Sequence, residues 1–300
     1  KNYRGSRFKR RDSDGDNMSF TLTTLRDAIK NYSENNETSF VNNLDLFIRL
    51  TEERILKTVQ LNVFEKNVSG TMTSSNQYLA CPSDFLAPNS LTITNSSSYS
   101  YLQFKEKEFV QTFTPNPATT GVPRYYAQFD VDNFVIAPTP NSGFTVDLSY
   151  FYRPASLSES TITFTVSSSA SFTVGETVTG GTSGSTSKIT AKPSSTTMSV
   201  IVPLDAFTAT ETITGGTSGA STTLTSFTSD TTESWLSTNA ELAMLYGSLV
   251  ECYVYMKGDP AVMNMYSTRF MEALGRLKNL GEAQEVMDEY VMGEIRKART

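Results

Sequence analysis

ETVTGGTSGSTSKIT, residues 176–190, returns as ETITGGTSGASTTLT at residues 211–225. Glycine-rich runs of this kind are found in phosphate cradles, but a P-loop must end in Gly-Lys-Ser/Thr at the start of a helix. Here Lys188 lies four residues beyond Gly184, the second copy has no lysine, and no helical pattern follows either run. A nucleophile elbow is excluded as well, because Thr182 and Thr217 stand where GxSxG requires serine. Phe172 matches Phe207, Glu176 matches Glu211, and Gly180, Gly181 and Gly184 match Gly215, Gly216 and Gly219. Alternation in FTVGETVTG fits strands, and the six glycines fit the turns between them. The repeat is β-architecture, not a reaction centre.

Around the repeat, residues 158–232 are dominated by Ser, Thr and Gly and contain no Tyr or Trp, although the flanking segments use tyrosine freely. Upstream, over 62–157, the apolar period is two. YLQF (101–104), YYAQF (125–129), NFVIA (133–137) and FTVDLSYFY (144–152) read as short antiparallel strands. DVDN (130–133) is a tight hairpin turn, and the prolines of APTPNSG (137–143) are expected outside the strands.

Both ends of the chain are helical. Leu22, Leu25, Ile29 and Tyr32 recur at helical spacing after Thr21 or Thr23 as cap. Phe40, Leu44, Phe47, Thr51, Ile55 and Val59 draw a second stripe. Its opposite side, with Asn43, Arg49, Glu52, Glu53 and Lys57, is a solvated face or a subunit contact. Leu242, Leu245, Leu249, Cys252 and Met256 form a third stripe. After Asp259–Pro260, Val262, Tyr266, Phe270, Ala273, Leu277 and Leu280 form a fourth. Each pair of stripes needs a partner larger than its neighbour, so the expected architecture is α+β, with a discontinuous four-helix bundle built from both ends. The divisions are a basic arm at 1–17, the bundle at 18–61 and 233–293, an antiparallel β domain at 62–157, an inserted β-repeat domain at 158–232, and a tail at 294–300.

The 300 residues carry net charge −6, of which residues 1–17 contribute +3, leaving −9 for the rest. An acidic body is a poor surface for tight nucleic-acid binding. There is no histidine, which removes Ser–His and Cys–His catalysis and histidine-ligated metals. Cys81 and Cys252 are isolated and read as two buried thiols, with a single bridge as the alternative. DSDGDN (12–17) lacks the glycine position and closing glutamate of a calcium loop, so no cofactor is expected. No apolar run reaches membrane-spanning length, and the basic start leads into aspartates, not a signal-peptide core. The carboxylate pairs Glu52–Glu53 and Asp130–Asp132 read as solvated surface, so no enzymatic activity is expected. The basic residues Arg4, Arg7, Lys9, Arg10 and Arg11 in the arm, with Arg296, Lys297 and Arg299 in the tail, are candidate contacts to a larger assembly or a neighbouring subunit. DNA is the rival partner for the arm.

TLRDAIKNY (24–32), FIRLTEERI (47–55), YLACPSDFLAP (78–88), PRYYAQFDVDNFVIAPTP (123–140) and LSYFYRP (148–154) occur in this order. WLSTNAELAMLYGSLVECYVYMKGD (235–259) and YSTRFMEALGRL (266–277) follow. Together they resemble the head–tail adaptor proteins of tailed bacteriophages, also called tail tubular protein A in short-tailed phages. The resemblance covers 18–157 and 233–292; the arm and the 158–232 insertion depart from it. It implies a structural virion protein of the head–tail junction, assembled in the host cytoplasm as a homo-oligomeric ring, generally dodecameric. That ring docks to the portal protein, meets a downstream tail or nozzle protein, and passes genomic DNA without sequence-specific binding and without a membrane. An acidic channel would repel the DNA backbone within a screening length of about 8 Å. The alternative is a secreted or surface β-repeat adhesin, suggested by the Ser/Thr/Gly repeat and the sequons at Asn36 and Asn95.

Overall fold

A computed structural model describes residues 19–59 and 61–292. The basic arm and the C-terminal tail, with the eight cationic residues singled out there, lie outside the described residues. The described residues begin with three helices, α1 (Leu22–Ser33), α2 (Thr38–Val41) and α3 (Leu44–Thr58). Four strands follow, β1 (Glu65–Thr71), β2 (Tyr78–Ala80), β3 (Phe85–Asn95) and β4 (Ser98–Phe104), then α4 (Lys107–Phe113). Next come β5 (Thr120–Gly121), β6 (Tyr125–Gln128), β7 (Asn133–Ala137), β8 (Thr139–Pro140) and β9 (Thr145–Tyr152). The inserted segment supplies β10 (Thr161–Val166), β11 (Thr177–Gly180), β12 (Thr186–Ser194), β13 (Thr197–Ile201), β14 (Thr212–Gly215) and β15 (Ser221–Phe227). Helices α5 (Trp235–Asn239), α6 (Glu241–Met256) and α7 (Pro260–Met292) close the chain. The protein is thus mixed α+β and divides into two compact units. One runs to Val59 and resumes over Ser156–Asn279; the other lies between Val59 and Ser156 and takes the chain from Leu280 onward.

In the first unit, helices from both ends of the chain meet. Thr21 caps α1 through a reciprocal capping box with Thr24. The backbone before it is pinned to the later part of the chain, with Phe20 N–H donating to Ser237 O at 3.2 Å. Leu22, Leu25 and Ile29 of α1, Leu44, Ile48 and Ile55 of α3, and Leu249 and Cys252 of α6 are fully buried. Helix α6 runs along both α1 and α3. Phe47 packs on Phe40 and Tyr255, at ring separations of 5.9 and 5.3 Å. Gly247 lets three helices close together: a Cβ there would stand 2.4 Å from Cγ2 of Thr51 on α3 and 2.8 Å from the ring of Phe270 on α7.

The inserted segment of the same unit is a closed barrel of order β10-β13-β12-β11-β14-β15, with β15 returning to β10. Closure leaves no free sheet edge. Alternate residues point inward, and Phe164, Val178, Ile189, Met198, Val200, Ile213 and Leu224 are fully buried. The repeat is longer than the glycine runs suggest: β10, β11 and β12 correspond in order to β13, β14 and β15. The first strand of each half pairs only with strands of the other half, β10 with β13 and β15, and β13 with β10 and β12. Neither half is a complete sheet by itself.

The second unit holds a seven-stranded sheet of order β1-β9-β3-β4-β6-β7-β2. It is antiparallel except between β4 and β6, which run parallel. Its core is built from Leu91, Ile93, Tyr126, Phe134, Ile136, Val146, Leu148 and Tyr150. Helix α4 lays Val110 over a smaller patch of Ala127, Val135 and Ala137. DVDN joins β6 to β7, with the N–H of Phe129 donating to Asn133 O at 2.9 Å. Pro140 departs from expectation: it belongs to β8, which pairs with β5 over two residues. A ladder that short sets proline's missing N–H against few bonds.

Replacing Gly247 with alanine should test the helix contacts. Alanine gains about 1 kcal/mol of helix propensity, but the buried Thr51 and Phe270 cannot both retreat. A net loss of about 1–3 kcal/mol is expected from overpacking, read as a lowered denaturant midpoint. Phe47→Ala and Leu249→Ala should each cost about 2–5 kcal/mol. A Gly247→Ala protein at least as stable as the parent would mean the helices are not this close.

Candidate functional site

Two polar constructions fix the geometry of the first unit. The first is inside the barrel. Glu211, which precedes β14, reaches the turn after β11, accepting from Thr182 N–H and Ser183 N–H at 2.9 Å each and from Ser183 Oγ at 2.8 Å. Thr208 N–H adds a bond at 2.7 Å. Glu176 does the same to the turn after β14, accepting from Thr217 N–H at 3.2 Å, Ser218 N–H at 2.8 Å and Ser218 Oγ at 2.9 Å. Thr173 N–H completes its set at 2.6 Å. Each repeat thus locks the other's turn.

The glycines follow from this arrangement. A Cβ on Gly180 or Gly215 would stand 2.6 Å from the incoming carboxylate. Gly184 and Gly219 have φ of +69° and +66°, the left-handed region that side chains resist. Gly181 and Gly216 donate to Thr212 O and Thr177 O, at 2.8 Å each, across the β11–β14 seam. Both carboxyls are buried. Burial alone would raise their pKa, but the donated hydrogen bonds, led by Ser218 and Thr173 for Glu176 and by Ser183 and Thr208 for Glu211, hold both below the ordinary value.

The second construction ties the barrel to the helices. Arg26 on α1 forms a two-pronged ion pair with Asp45 on α3, both contacts at 2.7 Å. Its Nη1 donates to Pro203 O at 2.8 Å, and Nη1 and Nη2 both donate to Val202 O at 3.2 Å, just beyond β13. Glu52, expected on the solvated side of α3, is buried instead. It accepts from Leu157 N–H at 2.9 Å and from the Ser156 hydroxyl, where the chain leads into the barrel. Where the chain leaves, Asp230 accepts from the N–H and hydroxyl of Thr23, each at 3.0 Å, on the first turn of α1. Glu53 pairs with Lys57 on the surface. Asp130 accepts from Asp132 N–H at 2.8 Å, holding its own turn.

Other polar groups are local. Asp84 joins Lys66, at 2.7 Å, to the Tyr150 hydroxyl, at 2.8 Å, and its pKa is lowered chiefly by Lys66. Both cysteines are free. Cys252 is buried as expected, whereas Cys81 is only half-buried. Burial, aided by Asp130 and Asp132, pushes the Cys81 thiol up to about 11, and burial raises that of Cys252 as well. Among the described residues no cluster of three His, Cys, Asp or Glu side chains could hold a metal, and no helix is long and apolar enough to cross a membrane.

What remains is surface. An open groove of about 550 Å³ along α6 and α7 is lined by Leu242, Tyr246, Met265, Arg269, Glu272 and Arg276, among others. Arg269 is set in place by the Tyr246 hydroxyl at 2.9 Å and by that ring, 5.5 Å from its guanidinium. Elsewhere Tyr99, Tyr101 and Val131 are the most exposed large apolar side chains of the second unit. Residues 20–171 match the family model described as SU10 adaptor protein, a span running from α1 through the whole seven-stranded sheet and past the end of β10. No curated protein matches the chain at a significant level.

The paired carboxylates give the barrel an acid limit. Their folded pKa values lie below the ordinary 4.5. Their contribution is therefore complete above about that pH and lost as pH falls through the lowered values. Glu176→Gln and Glu211→Gln should each cost about 1–3 kcal/mol at neutral pH. The double variant should show a flatter stability profile than the parent between pH 7 and 3, measured by denaturant unfolding followed by far-UV circular dichroism. Identical profiles would show that the two carboxyls do not set the acid limit.

Proposed function

The chain belongs to the SU10 adaptor protein family, and from that premise we propose that this phage structural protein is the head–tail adaptor of a tailed bacteriophage. In this reading it assembles as a homo-oligomeric ring, dodecameric by its resemblance to tail tubular protein A. The ring docks under the portal, receives a downstream tail or nozzle protein, and continues the channel through which DNA leaves the head. Its place in the virion is the head–tail junction, and its role is structural, not enzymatic.

The observation that carries the reading is the extent of the family match, which takes in helices α1–α3 and the complete sheet. The meeting of helices from both chain ends at Gly247 supports it. We further propose that α1, α3, α6 and α7 act together as a four-helix bundle, the rigid body from which each subunit meets its neighbours. The acidic composition suits a conduit, because repulsion keeps a polyanion moving where cations would hold it.

Electron microscopy of the purified chain, alone and mixed with its portal, tests this directly. Closed rings with a central opening, coaxial with the portal when both are present, are the expected result. Fibres, or a monomer that ignores the portal, would instead support the surface-adhesin alternative.

A further inference from the structure

The groove on α6 and α7 has a specific chemistry. Arg269 and Arg276 lie seven residues apart on one face of α7, two helical turns or about 10 Å along the axis. Between and beside them are the apolar Met265, Ala273 and Leu242, with Met265 and Leu242 both 45% exposed. Arg269 is held by Tyr246, and Glu272 is the groove's acidic side chain. Arg276 has no ion pair or hydrogen bond among the described residues. This is a site with two cations, one carboxylate and an apolar floor, on a body of net acidic charge.

The complementary shape occurs on the same chain. At the β6–β7 turn, Val131 is 81% exposed, the highest value of any large apolar side chain among the described residues. It is flanked by Asp130 and Asp132, both exposed. The turn is stiff, since Asp130 accepts from Asp132 N–H and the Asn133 side chain, and backbone bonds close the hairpin behind it. A rigid tip bearing one apolar knob between two carboxylates, and a groove with two guanidiniums, one carboxylate and the apolar Leu242, Met265 and Ala273, are complementary in net charge and in polarity.

We propose that the Asp130–Val131–Asp132 tip of one copy docks in the α6–α7 groove of a second copy. Val131 lies against Met265 and Leu242, and Asp132 pairs with Arg276. Because the two surfaces differ, the contact is head-to-tail, the kind that closes rings when the rotation between subunits permits. The proposal rests on the ring assembly suggested above and names one contact within it. Arginine suits the role, since its fork of donors meets a carboxylate in a fixed geometry.

The experiment is a charge exchange in the full chain. Arg276→Glu and Asp132→Arg are made separately and together, leaving Asp130 to hold the turn, and self-association is followed by sedimentation velocity at low and physiological salt. Val131→Ser is added to test the apolar knob. Circular dichroism confirms that each variant is folded. Either charge reversal alone should weaken association at least tenfold, and Val131→Ser severalfold. The combined variant, which restores an opposite pair at every contact, should recover most of the loss. Single reversals that associate like the parent, or a combined variant as weak as both losses multiplied, would overturn the contact while leaving the ring intact. A parent chain that stays monomeric even with portal would overturn the ring, and the contact with it.

Discussion

An ionised carboxylate removed from water must be met by hydrogen-bond donors, and the first unit of this protein depends on how that requirement is satisfied. Glu52, Glu176 and Glu211 are all buried, and backbone N–H groups and hydroxyls donate to each of them. Each bond from an amide serves two purposes: it stabilises the charge and it satisfies a backbone N–H that would otherwise be orphaned. Arg26 works in the opposite sense, spending its extra donors on the carbonyls of Val202 and Pro203. The result is a barrel whose turns are fixed from within and whose connections to α1 and α3 are fixed from without.

Exchange between the two halves explains why the repeat is so well matched in its turns and so loosely matched elsewhere. The residues that form the locks recur: the carboxylate, the glycine beneath it and the serine that donates, with a left-handed glycine closing each turn. Outside the turns the halves diverge. Lys192 on β12 donates to Phe172 O at 2.6 Å, while Phe227 at the corresponding place on β15 packs against Phe164. The constraint acts on the seam between halves, where β11 meets β14, because a mismatch there would break both locks at once.

The helical stripes and the strands were legible because burial follows period: Leu22, Leu25, Ile29, Leu249 and Phe270 all proved buried at the spacing that announced them. The turn glycines were legible because few residues other than glycine accept close approach or positive φ. Glu52 was misread because helical periodicity sorts residues by side of the helix and says nothing of an amide arriving from residue 157. The pairing of Glu176 with the second turn was invisible for the same reason: matched glutamates in a repeat show equivalence, not which copy each one serves. The groove on α6 and α7 was not legible, because periodicity placed Leu242 and Ala273 on apolar stripes and gave the arginines beside them no role. Arg269 acquires meaning from Tyr246, which lies on another helix.

Exposure is distributed in a way that bears on assembly. On the barrel, the outward positions of β11, β12, β14 and β15 are largely threonine and serine, with Thr179 opposite Thr214 and Thr186 and Ser221 on either side. Hydroxyl-rich faces gain little by leaving water, since each group already has its hydrogen bonds there. Large exposed apolar side chains are more numerous on α3, α4, α6, α7 and β4, and the most exposed of them, Val131, stands at the β6–β7 turn. A repetitive β insertion is a hazard in an assembling protein, because strands invite further strands. Closing the sheet into a barrel removes its edges, and a hydroxyl surface removes the apolar incentive. What is left to bind is carried by the open sheet and by the helices, and it is to α1 and α3 that the Arg26, Glu52 and Asp230 bonds fix the barrel.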